Sequence, residues 1–235
     1  MRNCHEHPGV EIAGICDEDP RRMQAVIANF RIPPERVFTD PHRCLVATEP
    51  DFVVLCPATA QHAEYVELAA SYRIHILVEK PFAATLREAD RMIAAVKRAT
   101  RLLAINWPLR WVPGHVLAHR LIEEGRIGTL QEFHHYGGNR GPLWHSADKL
   151  EVTPTAAMKR ASWFYKAKRG GGSLLDYLGY GTTIGTWYHQ GRKPIDVTAA
   201  VDQPRGLEVD EQSVVIVRYA TGLSTCHTRW GTFTD

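Results

Sequence analysis

The sequence lacks what would tie it to a membrane or a nucleic acid. No apolar stretch is long enough to span a bilayer, because the longest runs break within about ten residues at charge or proline. No run of lysine and arginine reaches the length of a nucleic-acid arm, and the formal net charge is only +2, so electrostatics name no polyanionic partner. The segment 1–7 has no apolar core of the kind a secretory leader needs. Cysteine is sparse: five residues, odd in number and without a C-x-x-C pair. Cys16 and Cys56 end apolar runs, where a thiol serves as a small hydrophobe, so the setting expected is a reducing cytoplasm. Tryptophan is missing before position 107, although the chain has six. The two halves are therefore built differently.

The first half alternates short apolar runs with amphipathic ones. Residues 10–16 read as a buried strand that ends at Asp17. Asp19 then caps a helix that Pro20 opens and that runs through Phe30. Strands are expected at 51–56, stopped by Pro57, and at 74–78 and 102–105, with helices at 59–72 and 84–99 between them. Strands apolar on both faces and alternating with helices predict a parallel sheet covered on both sides. Beyond Asn106 the texture changes. Segments 130–136, 196–201, 213–219 and 224–230 look like strands, several with the period-two alternation of an antiparallel sheet. The expected organisation is a dinucleotide-binding domain over 1–105 and an α+β domain with an open, mostly antiparallel sheet over 106–235.

A doubly wound nucleotide domain begins with a strand and a Gly-rich turn that brings a helix N-terminus to the pyrophosphate. No such turn lies ahead of residue 10, so residues 10–16 take the place of the second strand. Asp17 then sits where an acidic residue would bind the ribose hydroxyls of NAD, and Arg21, with Arg22, would accommodate the 2′-phosphate of NADP. Gly179-Tyr180-Gly181 with Gly185 imitates the missing turn, but no apolar strand precedes it. The sequence thus reads as cut at both ends, and the 235-residue chain is expected to be poorly soluble and to bind cofactor weakly or not at all.

Two motifs carry chemistry. Glu79-Lys80-Pro81 closes a buried strand, and ligands of open α/β sheets bind beyond such strand ends. A lysine there can hold a substrate oxygen and offset the charge of a forming alkoxide; a salt-bridging surface turn is the plain alternative. In the run 170–181, three glycines permit close backbone approach, and Ser173 can cap the helix that follows. Asp176 and Tyr180 stand four apart on one face. A phenol beside a cation is a proton carrier whose pKa the cation lowers, unless both residues are merely structural. His115 and His119 are also four apart, but nothing nearby offers a third ligand, and no metal site is expected.

The succession Cys16-Asp17-Glu18-Asp19-Pro20-Arg21, Cys56-Pro57-Ala58-Thr59-Ala60-Gln61-His62, Glu79-Lys80-Pro81, residues 106–110 and residues 170–181 resembles the glucose–fructose oxidoreductase/inositol dehydrogenase/MocA family over essentially the whole chain. The resemblance implies a Rossmann domain whose first strand is missing here, a second domain with an open sheet, and NAD or NADP as cofactor. By it Lys80 is the active-site lysine, Cys56, Pro57, Thr59, His62 and Glu79 lie beside the nicotinamide ribose, and Asp176 contacts substrate. Many members carry histidine four residues after that aspartate. Branches resembling glucose–fructose oxidoreductase and dihydrodiol dehydrogenase use tyrosine, which gives proton transfer to Tyr180. Gly179 also follows Asp176 one residue later than in the histidine form. Among Trp107, Trp111, Trp144 and Trp163, flat faces suited to a pyranose or cyclohexane ring, Trp163 is the expected substrate contact, together with Arg110. The implied activity is hydride transfer between a nicotinamide cofactor and a secondary alcohol of a sugar, polyol or cyclic diol, in a homo-oligomer when full length. A dinucleotide-sensing relative without catalysis and an inactive gene fragment are the alternatives.

Overall fold

The computed structural model describes residues 1–145 and 153–231, of which 144 and 145 by backbone alone. The chain forms two compact units. One comprises Met1–Leu55, Glu64–Leu77 and Arg91–Ala104; the other comprises Cys56–Ala63, Val78–Asp90 and Ile105–Asp235.

In the first unit, helix α1 (Arg2–Glu6) precedes strand β1 (Ile15–Cys16). Helix α2 (Pro20–Phe30) starts as the sequence dictates: the Asp19 carboxylate accepts the Arg21 N–H and Pro20 occupies the first position. The strand expected over 10–16 is realised only in its last two residues, which pair in parallel with β2 (Val37–Phe38). Pro33 and Pro34 lead into a 3₁₀ turn just before β2. Proline has no N–H to give a ladder, so the partner strand is short. A second Asp-Pro pair repeats the α2 device, with Asp40 capping α3 (Pro41–Thr48) by accepting the Arg43 N–H at 2.7 Å.

Strands β3 (Phe52–Leu55), β4 (His75–Glu79) and β5 (Leu103–Asn106) form the parallel sheet in that order. Helices α4 (His62–Ser71) and α5 (Leu86–Ala99) are its crossovers. The side chains of Val66 and Val78 are wholly buried, and each contributes about 1.5–3 kcal/mol of apolar burial. Helix α5 buries Met92, Ala95, Val96 and Ala99, the i, i+3, i+4, i+7 face of an amphipathic helix. It starts two residues later than its periodicity suggests, because Thr85 and Glu88 form a reciprocal capping box. The last residues of β4 and β5, 78–79 and 105–106, belong to the second unit.

The second unit continues with α6 (Pro113–Glu123), β6 (Glu132–Asn139), α7 (Pro142–His145), α8 (Ala156–Ala161), α9 (Gly179–Tyr188), β7 (Asp196–Asp202), β8 (Gln212–Tyr219) and β9 (Gly222–Trp230). Its sheet has the order β6-β9-β8-β7. The β9–β8 and β8–β7 pairs are antiparallel and β6–β9 is parallel. Helix α9 lies on this sheet through Gly181, Ile184, Gly185 and Tyr188. A Cβ on Gly181 would come within 2.9 Å of Cys226 Sγ, and one on Gly185 within 2.8 Å of Ser224 Oγ. The glycines that imitate a phosphate turn therefore serve close helix–sheet contact. The other sheet face is open, with Tyr136, Ile216 and Leu223 exposed.

Candidate active site

The site is assembled inside the second unit, where β4 ends at Glu79 and presents Lys80. The Lys80 ammonium donates to Asp176 Oδ1 in a short charge-assisted bond and to the Asp176 carbonyl at 3.0 Å. Both side chains are largely buried, 18% and 14% exposed. Glu79 is braced from the neighbouring strand: Asn106 Nδ2 donates to its Oε1 at 2.7 Å. The second oxygen of Asp176 accepts the indole N–H of Trp230 at 3.1 Å.

Asp176 stands in a π-helical turn, Leu174–Leu178, that runs into α9. Such turns insert one residue into a helix and recur at functional sites. From this turn and the helix that follows it, Asp176 and Tyr180 both reach Lys80. The lysine nitrogen lies 5.2 Å from the Tyr180 ring centre and 5.4 Å from that of Tyr177. Gly179 seats the helix against Trp107, since a Cβ there would meet the indole at 2.1 Å, and Trp107 meets the Tyr180 ring edge-on at 5.7 Å. The start of the π turn differs from expectation. The Ser173 side chain caps nothing; it is buried against Thr228 Oγ1 at 3.0 Å. The cap comes from Asp210, whose Oδ2 accepts the Leu174 N–H at 2.9 Å. Gly172 makes room for it, with φ at +108° and a Cβ position only 2.6 Å from Asp210 Oδ1.

Burial raises the Tyr180 pKa above the usual phenol value. The Lys80 charge pulls it down, but desolvation outweighs that pull, and Asp176 and Glu79 add to the rise. This corrects the expectation that the neighbouring cation leaves a lowered phenol. Cys16 and Cys56, expected to pack as small hydrophobes, are instead exposed; partial desolvation and the Glu79 charge still push the Cys56 thiol up.

A cavity of about 410 Å³ adjoins the Lys80–Asp176 pair. Of the residues expected from sequence, Cys56, Pro57, Thr59, Glu79, Lys80, Asp176 and Trp163 line it, and Trp163 stacks on Phe164 at 3.9 Å. Tyr180, His62 and Arg110 are not among its lining residues. His62 is buried, with its ring nitrogens 3.1 Å from the Phe82 carbonyl and 3.3 Å from that of Pro57, a brace between the two loops. The Arg110 guanidinium lies over the Trp187 ring at 4.5 Å, and Trp111 is 75% exposed. The Trp144 side chain lies outside the described residues. The cavity adds Asn139, Phe164 and Tyr177, which no local pattern singled out; Asn139 Nδ2 donates to the Tyr177 hydroxyl.

In the first unit Asp17 follows β1, and its Oδ1 accepts the Asp19 N–H at 2.9 Å. Arg21 holds Asp19 with two bonds of 2.9 and 2.8 Å and brings its carboxyl down to about 2. His115 is engaged with the Tyr188 hydroxyl at 2.9 Å and His119 stacks on Trp187. Among the described residues no group of His, Cys, Asp or Glu could hold a metal ion, and no helix is long and apolar enough to cross a membrane. The donor set suits a nicotinamide nucleotide. A cavity with Pro57 and Pro81 in its wall and a braced carboxylate, Glu79, fits a flat nicotinamide ring and a ribose.

Residues 1–107 match the model of an oxidoreductase family with an NAD-binding Rossmann fold, GFO_IDH_MocA, and residues 115–234 match that of the GFO/IDH/MocA C-terminal domain. The chain is 37% identical over 121 residues to D-apiose dehydrogenase of Paraburkholderia graminis, a match covering 52% of this chain and 32% of that protein. Its fold is similar to that of aldose-aldose oxidoreductase from Caulobacter crescentus, solved with glycerol (TM-score 0.82, 21% identity, 99% of this chain and 67% of that one). It is also similar to GenD2 from gentamicin A biosynthesis, solved with NAD (TM-score 0.84, 24% identity, 100% of this chain and 62% of that one). The chain thus spans about a third of the length of the curated relative and about two thirds of the solved ones.

Proposed function

The chain belongs to the Gfo/Idh/MocA oxidoreductase family, and we propose that it oxidises a secondary alcohol of a sugar, polyol or related cyclic diol, or reduces the corresponding ketone, with a nicotinamide cofactor. The bound nicotinamide supplies the acceptor or donor of hydride. Asp17 holds the adenosine ribose and favours NAD, since a carboxylate repels a 2′-phosphate and Arg21 is engaged by Asp19. Cys56, Pro57, Thr59 and Glu79 hold the nicotinamide end. Residues 1–105 serve as the dinucleotide-binding domain and 106–235 as the substrate domain, whose open sheet face makes a homo-oligomer. The setting is the cytoplasm.

Lys80 holds the reacting oxygen and stabilises it as charge develops. Asp176 keeps that ammonium aimed, and Tyr180 exchanges the hydroxyl proton. Trp163, stacked on Phe164, offers a flat face to the ring of the substrate. The carrying observation is that Lys80 meets Asp176 and Tyr180 in one compact unit, beside a cavity large enough for a monosaccharide-sized ligand.

The reading is tested, in a version extended to the full length of its relatives, by following NAD(P)H absorbance with a panel of sugars and polyols for the parent, Lys80→Ala and Tyr180→Phe. The expected result is turnover with at least one of them, lowered about 100-fold or more by either substitution, while NADH fluorescence titration gives similar affinity for all three. Parent-level turnover in both variants removes the assignment. A parent that binds NADH but turns over nothing supports the sensing alternative instead.

A further inference from the structure

Two strand ends reach the π turn together. β6 and β9 run in register to their last pair, Asn139 beside Trp230, and both side chains are buried, 5% and 3% exposed. Asn139 Oδ1 accepts the Gly141 N–H at 2.7 Å, which turns its Nδ2 toward the Tyr177 hydroxyl. Trp230 donates its indole N–H to Asp176 Oδ2. Successive residues of the turn, Asp176 and Tyr177, are thus each held by one member of a strand pair.

Trp230 is itself fixed. Tyr165 packs against its ring at 5.1 Å and Phe164 meets it edge-on at 6.4 Å. Its backbone N–H donates to the Glu211 carbonyl at 2.8 Å, while the Glu211 carboxylate accepts from Lys159 at 2.5 Å and from the Tyr165 hydroxyl at 3.1 Å. An indole has one donor and no acceptor, so at this place it can serve only an oxygen. The carboxylate of Asp176 is thereby divided, Oδ1 to Lys80 and Oδ2 to Trp230. The ammonium has three N–H groups, two of which serve Oδ1 and the Asp176 carbonyl; with the indole N–H gone, Oδ2 would claim the third, the one left for a substrate oxygen.

We propose that Trp230 is a positioning residue for the reaction, acting through Asp176 to set how tightly Lys80 is held. The inference rests on the reading of Lys80 as the catalytic amine. In ¹H–¹⁵N spectra the Trp230 indole signal, identified by its loss in Trp230→Phe, is expected downfield and moves upfield in Asp176→Ala. In turnover, Trp230→Phe is expected to lower kcat about tenfold with KM changed less than about twofold. Should that variant fail to fold, site-specific replacement of Trp230 by benzothienyl-alanine removes the N–H and keeps the ring shape, with the same kinetic expectation. An indole signal indifferent to Asp176→Ala, or parent-level kcat without the N–H, overturns the proposal. In a chain that turns over no sugar or polyol the enzymatic reading fails, while the indole signal still decides the hydrogen bond by itself.

Discussion

Tyr180 shows how much one residue's chemistry depends on what surrounds it. A phenol next to an ammonium in water is acidified; this one is half-buried, and desolvation wins over Lys80. Its proton therefore stays on through the whole physiological range. The consequence for the proposed reaction has a definite sign: alcohol oxidation needs the phenolate, so its rate rises with pH up to and beyond 10, the ordinary phenol value. Ketone reduction needs the phenol and keeps its rate over the same range. Oxidation rates measured between pH 7 and 10.5 test this, with Tyr180→Phe expected to flatten the slope. A plateau reached near pH 8 in the parent contradicts it. Residue identity, Lys80 with Asp176 and Tyr180, was legible in the sequence. The net direction of the phenol shift was not, because its burial depends on Trp107, which packs edge-on against it from a remote part of the chain.

At the scale of elements, local signals worked where the stabilising contact is local. Asp19-Pro20 starts α2 as expected, because the cap and the fixed proline φ act within two residues. Residues 10–16 shortened to Ile15–Cys16 because a strand needs a partner, and the partner follows two prolines. The π turn was not foreseen, the resemblance having shown only a different spacing of Gly179, and the turn's cap, Asp210, lies 36 residues downstream. Nothing near 173 could have revealed it; Ser173 was the natural choice. Asp210→Ala is expected to destabilise the fold by about 1–3 kcal/mol by leaving the Leu174 N–H unsatisfied, seen as a lower melting temperature. Asp210→Asn keeps an acceptor and relieves the desolvation that raises this carboxyl, so its loss is smaller. Equal melting temperatures for parent and Asp210→Ala contradict this account of the turn.

Across the molecule, the change of texture at Asn106 and the resemblance foretold a parallel sheet followed by an open, mostly antiparallel one. What neither foretold is that segments 56–63 and 78–90 cluster compactly with the C-terminal half, which puts Lys80, Asp176 and Tyr180 in a single unit. Two histidines of that unit link its stability to pH. Burial lowers the pKa of His135, with the charge of His115 adding to it, and that of His189, with Arg192 adding to it. Each keeps one buried ring nitrogen without a hydrogen-bond partner. Their folded pKa values lie below the unfolded one, so their contribution is complete above about 6.5 and is lost as pH falls below it. Melting at pH 5.5 is therefore expected below melting at pH 8, with His189→Gln narrowing the gap. The central claim, however, concerns chemistry at one oxygen atom. Its most direct test is kcat/KM for Lys80→Ala, Tyr180→Phe and the double variant with one accepted sugar or polyol. If amine and phenol serve the same oxygen, the double variant falls no further than the worse single one, within about threefold; losses that multiply mean that the two groups act apart.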